Sequence, residues 1–282
     1  MSRARAEADH HSFWRDPALP FIEARAVQDG RRVCYEKHSH AHFSIGAITG
    51  GHSHYLNQHT KQEVNAGTLV LMNPEEVHAC NPIADHPWSY LMFYLDTDWL
   101  RGQQEEAGLG AHFRPFDMTA SRDPMLYAGL LRLYRTLQDD QQDRLAKDVV
   151  CHQFSHQLLA RLTPARWSEP PPLHLRRAAE LIKDEYATPL TLQHLSTVAG
   201  LTPSHLVRVF SRHYGMTPHA YLLNQRIRQA RALLAQGRPL VEVALATGFS
   251  DQAHFQRQFK RLVAATPGQY QSQCLPQGSR TR

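Results

Sequence analysis

The 282-residue chain carries 31 Lys and Arg against 26 Asp and Glu, a formal charge of +5, and is long enough for two domains with separate cores. That charge is unevenly placed: residues 173–282 hold a net +9 and residues 1–172 a net −4, a division that suits nucleic-acid binding joined to a second task. Four scattered cysteines with no C-x-x-C pair exclude a dense disulfide framework, and no stretch approaches the roughly 20 apolar residues of a membrane span. The start, MSRARAEADHHSFWRD, lacks the apolar run of a signal peptide, so a soluble, cytoplasmic protein is expected.

In chain order, residues 1–20 read as an N-terminal arm. From about Phe21 to Asp96, short strands are predicted at Val33–His38, Phe43–Thr49, His52–Gln58, Thr68–Met72 and Ser89–Asp96, separated by Gly30, Gly50-Gly51, Gly67 and Asn73-Pro74. Evenly spaced short strands of this kind build a small barrel or sandwich. Past Trp99 the period becomes helical, with Leu126, Leu130, Leu133, Tyr134 and Leu137 on one face and a second helix over about Asp143–Leu162. These helices would cap the barrel or pair it with a second subunit. The segment TPARWSEPPP, residues 163–172, reads as a semi-rigid linker.

Beyond the linker everything is helical. Leu175, Ala178, Ala179, Ile182 and Tyr186 form one face of an opening helix, and Thr217–Gln236 forms a longer one stopped by Gly237. Around that long helix the sequence repeats. Leu192, Leu195 and Gly200 recur 48 positions later as Leu240, Val243 and Gly248; His205, Arg208, Phe210, Arg212, Thr217-Pro218 and Tyr221 recur 49 later as His254, Arg257, Phe259, Arg261, Thr266-Pro267 and Tyr270. Each copy is a short helix, a glycine turn and a basic amphipathic helix, the parts of a helix-turn-helix whose second helix enters the major groove. The connecting helix, at about 1.5 Å per residue, is near 30 Å long, close to the ~34 Å between successive major grooves on one face of a duplex.

Within the first copy, Leu206, Val209 and Phe210 must face inward, which turns Ser204, His205, Val207, Arg208 and Arg212 outward. In the second, Phe255, Phe259 and Leu262 face inward and leave Gln252, Ala253, Gln256, Arg257 and Lys260 exposed. Arginine bridges guanine O6 and N7, glutamine pairs with adenine, and a small apolar side chain meets a thymine methyl. Two packed helical hairpins with solvated charges are the plain alternative, and repetition at matched positions argues against it.

The segment GFSDQAHFQRQFKRLVAATPGQY resembles the C-terminal signature of the AraC/XylS family of transcriptional regulators, and LTLQHLSTVAGLTPSHLVRVFSRHYGMTPHAYL resembles its first motif. This resemblance covers about residues 189–270. It implies an all-helical, seven-helix DNA-binding domain over residues 173–275 that binds a non-palindromic double-stranded DNA site and usually activates transcription, with RNA polymerase as a partner. Two positions depart from the family pattern: Ala264 where Gly is usual, which touches a helix cap, and Gln271 where Arg is common, which touches a phosphate contact.

Upstream, EKHSHAHFSIGAITGG, NAGTLVLMNPEEVHACNP and HPWSYLMFYLD are similar to the cupin-type effector-binding domain of the same regulators. The fold class expected is therefore two-domain: a cupin-like jelly-roll β-barrel with C-terminal helices over residues 21–162, then the double helix-turn-helix. A barrel of this size encloses one small molecule. His38, His40, His42, His78, Trp88 and Tyr90 lie in the segments expected to face it, offering hydrogen bonds and stacking surfaces to a small-molecule effector. No cofactor is expected.

A metal is the sharper alternative, since two histidines one residue apart, His40 and His42, with a distant His78 are spaced like the ligands of cupin enzymes. Such enzymes add a Glu soon after the second His, and Phe43–Gly51 contains no acid. The leading reading is an effector-controlled regulator that is a homodimer; the alternatives are a metal-dependent cupin dioxygenase or isomerase with a helical appendage, or a metal-sensing regulator.

Overall fold

The computed structural model describes residues 11–31, 33–84, 86–165 and 171–274. Residues 1–10 of the expected arm, residues 166–170 of the expected linker and residue 275 lie outside the described residues. The chain divides into two compact units. One comprises residues 1–34, 40–75 and 80–167; the other comprises residues 35–39, 76–79 and 168–282.

Among the described residues, nine strands form two sheets. A six-stranded sheet has the order β1 (His11–Trp14), β2 (Ile22–Val27), β8 (Ser89–Leu95), β3 (Phe43–Gly50), β6 (Leu69–Met72) and β9 (Ala120–Ser121); a three-stranded sheet has the order β5 (Thr60–Asn65), β4 (His52–Asn57) and β7 (His78–Pro82). Three helices accompany them: α1 (Thr97–Glu106), α2 (Pro124–Gln138) and α3 (Arg144–Arg161).

Alternation along the larger sheet sorts its side chains into two faces. Ala24, Phe93, Ile45 and Leu71 are cross-strand partners in one row, and they join Leu126, Leu130, Leu133 and Leu137 of α2 and Val150, Phe154 and Leu158 of α3 in one buried cluster. The helical stripe predicted on α2 thus covers the sheet. The opposite face carries rows of a different character: Arg25, Met92, Gly46 and Val70; Val27, Tyr90 and Ile48; and Glu23, Tyr94, Ser44 and Met72. Tyr55 of β4 donates its hydroxyl to the Leu71 carbonyl at 2.6 Å, tying the smaller sheet to the larger.

One expected strand is absent. Residues 33–38 keep the predicted in–out alternation, with Val33 and Tyr35 buried and Cys34 and Glu36 exposed, but they form no ladder apart from an isolated bridge between His38 and His78. Alternation reports burial and not a pairing partner: the Glu36 N–H bonds to the Arg261 carbonyl at 3.0 Å. Conversely, β1, β2, β5, β7 and β9 lie outside the predicted strands. Acidic and basic residues at Glu23 and Arg25 interrupt the apolar pattern of β2, and β5 is a largely exposed edge strand.

The described part of the second unit carries seven helices from Leu173 onward: α4 (Leu173–Asp184), α5 (Leu192–Ala199), α6 (Pro203–Tyr214), α7 (Pro218–Ala235), α8 (Leu240–Ala246), α9 (Gln252–Val263) and α10 (Pro267–Cys274). Each repeat is the helix pair, α5–α6 and α8–α9. The opening helix ends before Tyr186, so that residue lies beyond the stripe predicted for it. The connecting helix is bounded by Thr217 and Gln236, and its 18 residues give a length of about 27 Å.

Caps repeat along with the core. The Thr202 hydroxyl accepts from the His205 N–H at the start of α6, and the Asp251 carboxylate accepts from the His254 N–H at the start of α9, the N-cap geometry these residue types favour. At the C-terminal ends, Gly215 closes α6 with φ 69° and Ala264 closes α9 with φ 53°. Alanine therefore does adopt the left-handed cap usual for glycine, at a cost of roughly 1–2 kcal/mol from its Cβ.

Candidate nucleic-acid and effector sites

Burial of Leu206 and Phe210 fixes the rotation of α6, and burial of Phe255, Phe259 and Leu262 fixes that of α9. Phe255 and Phe259 stack edge to face at 5.6 Å, with Phe249 at 5.4 Å from Phe255 and Tyr270 at 5.5 Å from Phe259. Against these anchors, Ser204, His205, Arg208 and Arg212 of α6 are exposed and Val207 is half-buried; Ala253, Gln256, Arg257 and Lys260 of α9 are exposed and Gln252 is half-buried. Each set forms one solvent-facing stripe beginning at the first helical turn. Arg261, the counterpart of Arg212, is exposed on the same helix as Arg257 and was omitted from the predicted set. The 49-residue repeat would have supplied it.

The cap of α9 is also charged. The His254 N–H bonded to its carboxylate holds Asp251 below the usual carboxylate range, so it stays ionised as the α9 cap. Gln271, in place of the family's Arg, donates its side-chain amide to the Arg238 carbonyl at 2.6 Å.

The six effector candidates do not all belong to one unit. His40, Trp88 and Tyr90 are buried in the sheet-rich unit, Trp88 and Tyr90 stacked at 4.6 Å. The Trp88 ring lies against Gly30, where a Cβ would come within 2.3 Å of Nε1, so only glycine leaves room for it. Its indole N–H is buried with no hydrogen-bond partner. His42, expected in the pocket lining, is exposed; it sits at the entry to β3, where its backbone carbonyl accepts from His40 Nδ1. His38 and His78 belong to the segments grouped with the helical unit, their rings 4.4 Å apart.

Nor do His40, His42 and His78 assemble a metal site; among the described residues no group of three or more His, Cys, Asp or Glu side chains is placed to hold one. His40 Nδ1 donates to the His42 carbonyl at 2.9 Å, which leaves Nε2 as an acceptor for the Ser44 hydroxyl at 3.2 Å. His78 Nδ1 donates to the Glu76 carbonyl at 2.8 Å, and burial pushes its imidazole down to about 4.

Arg25 was missed. It is 2% exposed, on the sheet face that carries Tyr90 and Met92, with its guanidinium 4.8 Å over the ring of Phe13, its register partner on β1. A charge inside an apolar strand was itself the available signal, since buried charges are rare without a purpose.

Residues 22–155 match the AraC-like ligand binding domain family and residues 195–273 a helix-turn-helix domain family. An uncharacterized HTH-type transcriptional regulator of Bacillus subtilis, YbfI, is 30% identical over 242 residues, covering 85% of this chain and 87% of that one. The arabinose operon regulatory protein of Escherichia coli is 26% identical over 231 residues, covering 77% and 76%. Among solved structures, ToxT of Vibrio cholerae with an unsaturated fatty acid bound superposes with a TM-score of 0.57 at 11% identity, over 93% of this chain and 94% of that one; this likeness is one of fold. A sheet-rich ligand-binding domain followed by a helical DNA-binding domain defines a one-chain transcriptional regulator. The chain belongs to the AraC family of such regulators.

Proposed function

We propose that α6 and α9 enter successive major grooves of one double-stranded site, Ser204, His205, Val207, Arg208 and Arg212 reading one half and Gln252, Ala253, Gln256, Arg257 and Lys260 the other. The observation that carries this reading is the duplication itself: two capped basic helices, each held in rotation by a buried aromatic pair or its equivalent, present matching polar stripes. The working division is an arm over residues 1–20, a sensor over 21–162, a linker over 163–172 and a DNA-binding domain over 173–275. The protein acts in the cytoplasm as an activator, with RNA polymerase as its downstream partner.

The effector is a small molecule taken up by the sheet-rich unit, on the face that carries Arg25, Tyr90, Met92 and Tyr94. Trp88 supports this through its buried, unsatisfied N–H, a deficit of about 1–3 kcal/mol that a ligand acceptor would remove. Because an effector shifts an equilibrium only by its differential affinity for two states, its binding must change when target DNA is present. Titration calorimetry of the intact chain with candidate metabolites, with and without duplex DNA, tests this. Trp88→Ala should weaken effector binding by about 10-fold or more, the loss of a stacked aromatic and its donor, and leave DNA affinity without effector unchanged. An unaltered effector titration would place the ligand elsewhere.

The same helices that cover the sheet support a homodimer. Leu145 (70% exposed) and Val149 (45%) fall one turn apart on α3. An apolar stripe of this kind is normal at an interface between subunits. Sedimentation of the intact chain should give twice the single-chain mass, and Leu145→Glu with Val149→Glu should return it to the single-chain value. A dimer that survives both changes would be built elsewhere.

A further inference from the structure

Two short segments from the N-terminal half of the sequence, residues 35–39 and 76–79, are part of the helical unit. Val77 is buried in the same cluster as Leu206, Phe210 and Met216, and a Cβ on Gly215 would lie 3.0 Å from the Val77 Cβ. Ser39 and Asn224, both nearly fully buried, exchange three hydrogen bonds: the Ser39 N–H to Asn224 Oδ1 at 3.3 Å, and Asn224 Nδ2 to the Ser39 carbonyl and hydroxyl, each at 3.0 Å. These contacts fix the position of Glu36. Its N–H meets the Arg261 carbonyl at 3.0 Å, capping the last turn of α9, and its carboxylate pairs with the Arg261 guanidinium.

We infer that Glu36 is an intramolecular competitor for the DNA backbone at Arg261. Arg261 lies one turn beyond Arg257 on the outward stripe of α9, where a phosphate contact would fall if Arg257 reads a base. Both Glu36 and Arg261 are half exposed, so the ion pair contributes little to holding the segment. Val77 and Asn224 hold it, and the carboxylate is carried along. The pair is therefore weak enough for a phosphate to displace, and its presence lowers the charge that the second reading helix offers to DNA. Any movement that withdraws residues 35–39 would restore that charge. The same segment carries His38, so a signal reaching that residue has a short covalent path to Glu36.

The inference rests on the DNA reading above, and its test needs only phosphates, so a random-sequence duplex at fixed low salt serves as the probe. In the intact chain, Glu36→Gln keeps the backbone hydrogen bond and removes the charge; it should tighten duplex binding by about two- to fivefold, the range of one exposed ion pair. Arg261→Ala should weaken binding, and in that background Glu36→Gln should have no effect. No change on Glu36→Gln, or an equal gain in both backgrounds, would overturn the competition at Arg261 while leaving the DNA reading intact. A wild-type chain that binds no duplex at all would overturn both.

Discussion

Arg208→Ala and Arg257→Ala are each expected to weaken binding to the target site by about 1–3 kcal/mol, roughly 5- to 150-fold, and to relax selectivity at different base pairs. Both side chains are exposed, so neither change opens a cavity or strands a buried partner. Because the two arginines sit on different helices, α6 and α9, their losses should add, giving a combined loss of about 25- to 20,000-fold. Each substitution should flatten preference in one half of the site only. Equal weakening on every sequence would make both residues phosphate contacts, and a double variant no worse than either single one would mean that only one helix engages DNA.

A second large effect is expected from pH, through His78. Free histidine titrates near 6.5, and burial lowers His78 to about 4, against the smaller opposing influence of its bond to the Glu76 carbonyl. The unfolded chain therefore binds a proton at this residue over a range where the folded chain does not. Stability rises with pH wherever the unfolded state holds more protons. The contribution is thus fully present above pH 6.5, declines as pH falls, and is exhausted near pH 4, an integrated loss of about 3 kcal/mol. Urea midpoints measured between pH 4 and 7 should show this slope. His78→Asn retains a donor near the Nδ1 position and cannot ionise, so its profile should be flatter across that window. An unchanged slope in the variant would assign the dependence to other groups.

The helical unit was far more legible in the sequence than the sheets, for a physical reason. Helix, turn and helix are local, and duplication supplied an internal control: caps at Thr202 and Asp251, glycine turns and aromatic anchors recur in register. The outward stripes follow once Phe210 and Phe259 set the rotation. Strands depend on partners distant in sequence. Residues 33–38 alternate as a strand does, yet residues 35–38 belong to the helical unit, while Glu23 and Arg25 hide β2. The effector candidates are hard to read from sequence for the same reason: whether the side chains of His38, His40, His42 and His78 meet is decided by which segments fold together, not by their spacing. His42 turns outward, and His38 and His78 join the other unit.

In the proposed function one chain reads two adjacent major grooves with two dissimilar helices. Selection of duplexes from a random pool by the intact protein, followed by base-contact interference on the winners, measures this directly. A two-groove reader predicts an asymmetric motif with two clusters of contacted bases about 10 base pairs apart, one lost with Arg208→Ala and the other with Arg257→Ala. Recovery of a single cluster, or of no motif above the unselected pool, would contradict it.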